Sequence, residues 1–327
     1  MEFKPTAGEI SNIWRYIIGN QAHLCFLEHW TSHAEDEDLK MILQCSKDLA
    51  HQIVKEGLDL YERAGFPQPI GFTIIKDAIP NAPRLMSDKL VLFVLQILSE
   101  YGVYGYGLTL GKTETPEVLA YIKNCLFNST ELYQKITEAI HKKGCQHQPV
   151  YIAPPKQAEL VQEQSFLAGW WGEQRPVSAI EIDSLFYSLR GVMLAKIMLM
   201  AFSQIAKDPK VQKYCKRGKD IAGKRVEKIQ SLNSIESLPF LATYESEITD
   251  STTSPFSDQL IMFEALSLVE IAISRYGNAL SVVARRDLSA MFASYIVETG
   301  TFLDDGLSLM IEKKWFEQPP MASERNS

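Results

Sequence analysis

The chain has 327 residues, 46% of them hydrophobic and 22% charged, with a formal net charge of -7. That length suits two domains with buried cores. The acidic balance, with no basic run or aromatic-plus-basic stripe, argues against nucleic acid as the main partner. The opening residues Met1-Glu2-Phe3-Lys4-Pro5 lack the charged-then-apolar order of a signal peptide. The longest apolar runs, around Val91–Leu98 and Ile197–Phe202, read as too short to span a bilayer. Five scattered cysteines (Cys25, Cys45, Cys125, Cys145, Cys215) with no CxxC pair point to a reduced, cytoplasmic protein.

The chain repeats itself. Glu9-Ile10 falls on Glu181-Ile182, and Ala34-Glu35-Asp36 on Ala206-Lys207-Asp208, a shift of 172 residues. After the next loop the shift is 170, so that Ser87-Asp88 falls on Ser257-Asp258, Glu100 on Glu270 and Tyr106-Gly107 on Tyr276-Gly277. One frame held through this many positions marks two homologous halves.

Each half reads as four helices. The first runs from about Thr6 to His33, with Ile10, Ile13, Trp14, Ile17, Gln21 and Leu24 on one face. Asp36 caps the second, whose counterpart Asp208 is followed by Pro209 at the first helical position. That helix stops near Gly65 and Pro67. About twenty residues then lead to a third helix at Ser87 or Asp88, too long a link for a tight turn. Thr115-Pro116-Glu117 opens the fourth, which continues to about His141.

Short, long and short connections define a four-helix bundle with one crossover, the ferritin-like arrangement. The expected organisation is all-α. It has a first bundle over 1–143, a linker over 144–175 with a connecting helix from Lys156 to Trp171, and a second bundle with tail over 176–327. The two bundles would form an intrachain pseudo-dimer, open to further homo-oligomerisation.

The phrases Arg175-Pro176-Val177-Ser178-Ala179-Ile180-Glu181-Ile182, Phe202-Ser203-Gln204, Arg217-Gly218-Lys219, Ser254-Pro255-Phe256-Ser257-Asp258 and Trp315-Phe316-Glu317-Gln318-Pro319-Pro320 carry a resemblance. They resemble a bacterial family known as domain of unknown function 3231, of tandem ferritin-like bundles. The resemblance implies the fold. It brings no reaction with it and transfers no catalytic residue.

A carboxylate inside an apolar helix is costly unless it is satisfied, so Glu100 and Glu270 are the first candidates for a site. A carboxylate-bridged metal pair needs a Glu from each of two helices and Glu-x-x-His from the other two. In the first half, Glu100 lies about twelve residues, or roughly 18 Å, from the helix end. Gln21, His23 and His51 fall at similar depth, giving a candidate set of Glu100, His51, Gln21 and His23 for iron, manganese or zinc. The set is incomplete, because Asp48 of Asp48-Leu49-Ala50-His51 points away from the apolar stripe and Glu138-Ala139-Ile140-His141 sits at a helix end. The alternative is a buried Glu100 hydrogen-bonded to Gln21, His51, Ser129 or Tyr104.

In the second half His23 and His51 become Ala195 and Gly223, and all six histidines precede residue 150. Imidazole is a preferred transition-metal ligand, so this half reads as structural. Lys196, within an apolar run, is expected to pair with Glu270, while Tyr106 and Tyr276 close the polar layers. His29 and His33 form a further i, i+4 pair at a helix end. These patterns favour a non-enzymatic structural, stress or assembly protein with degenerate metal sites. A metal-binding protein or oxidase centred on Glu100, or a small-molecule binder in the bundle core, are the alternatives.

Overall fold

The computed structural model describes residues 3–145, 150–170, 174–236 and 238–322. Four long helices build each repeat. The first has α1 (Ala7–His33), α2 (Glu37–Arg63), α4 (Asp88–Leu110) and α5 (Pro116–Lys142), with a single-turn α3 (Ile74–Asp77) in its crossover. The second has α6 (Ala179–Ile205), α7 (Pro209–Ile235), α8 (Asp258–Val282) and α9 (Arg286–Glu312). The shifts of 172 and 170 residues read from the sequence are the offsets between helix starts. The chain is all-helical, with no strand among the described residues, and its two tandem domains are a pair of ferritin-like bundles.

Local chemistry sets these boundaries. Thr6 with Glu9, and Ser178 with Glu181, form capping boxes at the starts of α1 and α6. Ser87 and Ser257, not the following aspartates, cap α4 and α8. Asp88 instead braces a neighbouring turn, where its carboxylate accepts the backbone N–H groups of Glu35 and Asp36 at 3.0 and 2.8 Å. Asp258 does the same for Lys207 and Asp208 at 2.9 and 2.8 Å. Each aspartate thereby fixes the turn between the first two helices of its own repeat.

The crossovers hold the two repeats together, and they do so reciprocally. Ile79 N–H donates to Pro255 O at 2.7 Å, and Thr249 N–H donates to Leu85 O at 3.0 Å. Ser257 N–H donates to Asp77 O at 3.0 Å, and Ser87 N–H to Glu247 O at 2.9 Å. Under the 170-residue shift each bond in these pairs maps onto the other. That reciprocity is the mark of an isologous, two-fold interface, here within one chain. The crossovers are therefore not spare loops; their backbone groups are consumed by the partner repeat.

One apolar core runs through both repeats, including Phe26, Leu43, Leu90, Ile97, Leu189, Phe202 and Phe292. A second cluster fills one end of the first bundle, around Ile13, Ile17, Ile53, Tyr121 and Ile122. The continuity is visible where Phe26 of the first repeat meets Phe202 and Phe256 of the second, with centroids 6.1 and 4.3 Å apart.

This shared core corrects the reading of the apolar runs. Taken as whole helices, α4 and α6 are long and apolar enough to cross a membrane by length and composition. In the structure α4 packs against α6 across the seam between repeats. Each also packs within its own bundle, so both need apolar residues on two faces.

The linker also differs from expectation. No helix spans Lys156 to Trp170; the regular element there among the described residues is a 3-10 turn at Gln164–Leu167, and Trp171 lies outside them. Residues 151–163 are exposed throughout. A short helix with no face to bury is marginal in water. The linker is pinned at its end, where Arg175 lies over the Phe166 ring, 3.9 Å from its centroid.

Candidate functional site

Glu100 and Glu270, which recur in both repeats, do not face their own bundle centres. Glu100 on α4 reaches across the seam and accepts a hydrogen bond from Arg190 Nη2 of α6 at 2.7 Å. Gln96 Oε1 accepts from the same nitrogen at 3.0 Å. Arg275 Nη2 of α8 lies 4.0 Å from the second oxygen of Glu100. Glu270 on α8 likewise pairs across the seam, with Arg15 of α1. Each recurrent glutamate is thus held by an arginine from the first helix of the other repeat.

The expected first-bundle ligands are not brought together. His51 is exposed on α2. Gln21 lies against the crossover, where a Cβ on Gly71 would come within 1.8 Å of its Oε1. His23 lies near Trp30, ring centroids 6.2 Å apart, and burial pushes its pKa down to about 4. Glu100 itself is on the seam. Among the described residues no group of three or more His, Cys, Asp or Glu side chains converges as a metal site. Sequence gives depth along a helix, but depth does not say which face a residue takes. Because α4 is buried on two sides, an inward Glu100 could point to either core.

The Lys196–Glu270 pair does not form either. Lys196 Nζ donates to Glu245 of the second crossover at 2.6 Å. Burial raises the Glu245 pKa, but the Lys196 hydrogen bond and charge, with hydrogen bonds from its own backbone and Thr243, together outweigh it and the net shift is downward. His29 is buried, with its Nδ1 3.3 Å from Pro80 O and its ring 4.6 Å from that of His33. Burial first and the His33 charge second bring its pKa to about 4.

Tyr106 and Tyr276 both lie in the core. Asn20 donates to Tyr106 Oη at 3.4 Å. Tyr276 Oη instead accepts from Arg225 Nη1 at 3.2 Å. Arg225 is the polar centre of the second bundle: it also donates to Thr299 Oγ1 and to Glu298 Oε2, both at 2.7 Å. Its repeat counterpart is Ile53, so the two bundle centres have diverged from aliphatic to cationic. A cavity of about 30 Å³ adjoins it, lined by Val192, Leu199, Leu268, Phe302, Thr299 and Arg225.

Glu9 and Glu181 carry a role that sequence reading missed. Glu9 accepts from the backbone of Thr6, Glu114 and Thr115 and from the Thr115 hydroxyl. Glu181 accepts from Ser178, Ala284 and Arg285 N–H groups and is forked by Arg175 at 2.7 and 2.8 Å. One buried carboxylate therefore serves the N-termini of the first and last helices of each repeat, favourable for a negative charge. Burial pushes both carboxyls up, yet these donors hold both at about 2. Their alignment at the shift of 172 residues was the available signal.

The profile of the family described as "Protein of unknown function (DUF3231)" matches twice, over residues 4–157 and 165–327. The chain belongs to this family. The two matches coincide with the two repeats. No curated protein matches the chain. Among solved structures, the chain is similar to that of a candidate spore coat protein from Bacillus halodurans C-125, at 16% identity and a TM-score of 0.38. The overlap covers 48% of this chain and 97% of that one.

Proposed function

We propose that this family member is a non-enzymatic structural or assembly protein in which the recurrent Glu100 and Glu270 serve the union of two bundles. The observation that carries this reading is that Glu100 and Glu270 each end on an arginine of the opposite repeat. The donor chemistry of the second bundle agrees with it, since its polar centre is the guanidinium of Arg225, a group that cannot ligate a cation. The test is metal content of the untagged protein by plasma mass spectrometry, before and after incubation with ferrous iron, beside Glu100→Gln. Substoichiometric metal in both proteins supports the reading. Stoichiometric iron, manganese or zinc that disappears in the variant contradicts it and restores a metal role for Glu100.

The cavity beside Arg225 favours a second reading, a binder of small molecules with an apolar body and one hydrogen-bond acceptor. Short-chain alcohols and carboxylates would then raise the thermal midpoint of the wild type but not of Leu199→Phe, which fills the cavity. Equal responses of the two proteins would remove this reading.

A further inference from the structure

A second cavity, of about 10 Å³, is lined by Arg275, whose Nη2 stands 4.0 Å from Glu100. That is room for a single small occupant. Apolar walls from Ile97, Val192, Leu268 and Ile271 surround Ser188 and Arg275, with Tyr276, whose hydroxyl is taken by Arg225, completing the polar lining. Ser188 and Arg275 are almost completely buried, at 1% and 2% exposure. Ser188 Oγ and the Nε and Nη2 atoms of Arg275 have no hydrogen-bond partner among the described residues, and neither has Glu100 Oε2, 4.0 Å from that Nη2. Gly191 admits the guanidinium, because a Cβ there would come within 2.7 Å of Arg275 Nη1.

Charge and size both restrict the occupant. Arg190 and Arg275 face one carboxylate, Glu100, leaving one positive charge in excess among the three. Arg275 shares that carboxylate with Arg190 and stands 4.0 Å from it, so its buried charge is only partly compensated, and burial lowers its pKa accordingly. The remaining contacts of Arg275 are neutral: Nη1 donates to Tyr187 O at 2.9 Å, and the guanidinium stands 4.1 Å from the Tyr187 ring centroid. A single occupant that accepts from guanidinium and hydroxyl donors and carries one negative charge would satisfy both deficits. The volume is too small for a sulfate, a phosphate or a carboxylate. We propose that this cavity is a halide site, taking chloride, and that the bound ion stabilises the seam between the repeats.

The test is thermal unfolding of the full chain in sodium chloride, sodium bromide and sodium gluconate at equal ionic strength, with Ser188→Ala in parallel. Chloride and bromide should raise the wild-type midpoint over gluconate by about 2 °C or more, saturably. Ser188→Ala should lose at least half of that gain. Bromide-soaked crystals of the wild type supply an independent readout, an anomalous peak within hydrogen-bonding reach of Arg275 and Ser188. Equal midpoints in halide and gluconate, a halide gain undiminished in the variant, or ordinary water density in the cavity with no anomalous signal would each overturn the proposal.

Discussion

Glu100 and Arg190 meet at 2.7 Å across the seam between the two repeats. Their side chains are only 12% and 19% exposed, so the pair is shielded from solvent and salt far better than a surface ion pair. Glu100 has a repeat counterpart in Glu270, but Arg190 has none: the partner of Glu270 is Arg15, which aligns one turn away, with Tyr187. The two-fold relation between repeats is therefore kept in backbone and acids and relaxed in the bases. The Glu270–Arg15 pair is half exposed, and its loss should cost well under the loss of Glu100.

The Glu9 and Glu181 carboxyls give a signed pH dependence. Both are held at about 2, below their ordinary value of 4.5. A depressed carboxyl stabilises the fold above its unfolded pKa, and that stabilisation drains away as pH falls from about 4.5 towards 2. Glu9→Gln should cost about 2–3 kcal/mol at pH 7. The difference from wild type should shrink steadily in urea titrations taken down to pH 3. A cost independent of pH would remove the charge-based explanation.

Glu264 carries the opposite sign. Burial on α8 raises its pKa from 4.5 to about 7. The folded state then keeps a proton that the unfolded chain has released, so stability falls as pH rises from about 4.5 to 7 and levels off above. Glu264→Gln should be more stable than wild type at pH 8, by up to about 3 kcal/mol. Below pH 4.5 the two should converge. Chemical denaturation at pH 4.5, 6 and 8 reads this directly, and a gain that is as large at pH 4.5 would sink the explanation.

Gly306 reports on packing in the second bundle. A Cβ there would come within 2.3 Å of Tyr214 Oη and 2.5 Å of Leu266 Cδ2. Tyr214 cannot step aside freely, because its hydroxyl donates to Phe302 O at 2.9 Å. Gly306→Ala should destabilise by about 1–3 kcal/mol, while Gly300→Ala, with nothing within 4 Å, should be neutral or slightly stabilising. Similar midpoints for the two variants would contradict this packing.

The fold is readable because repetition and capping are local signals. Thr6, Asp36, Ser87 and Thr115 mark helix starts within a residue, and the shift between repeats fixes their counterparts. The candidate site is not readable, because it depends on which of two buried faces a residue occupies. Helical periodicity places Glu100 and Lys196 away from solvent, and both do turn inward of the surface. It cannot say that α4 has a second core across the seam, nor that a crossover residue, Glu245, would reach Lys196 before Glu270 could. The role of Arg225 is hidden for a related reason. The stripe Val211, Cys215, Gly218, Ala222, Ile229 and the alignment with Ile53 put Arg225 on the buried face, but periodicity does not say that a cation there would find Tyr276, Thr299 and Glu298.

The most direct measurement is a double-mutant cycle on Glu100 and Arg190, using Glu100→Gln, Arg190→Met and both together, by urea denaturation. If the recurrent acid exists to join the repeats, each single variant should lose about 1–3 kcal/mol, and the double variant clearly less than the sum, since removing one partner strands the other. Additive losses, or a Glu100→Gln variant as stable as the wild type, would show that Glu100 is not spent on the seam and would contradict the account.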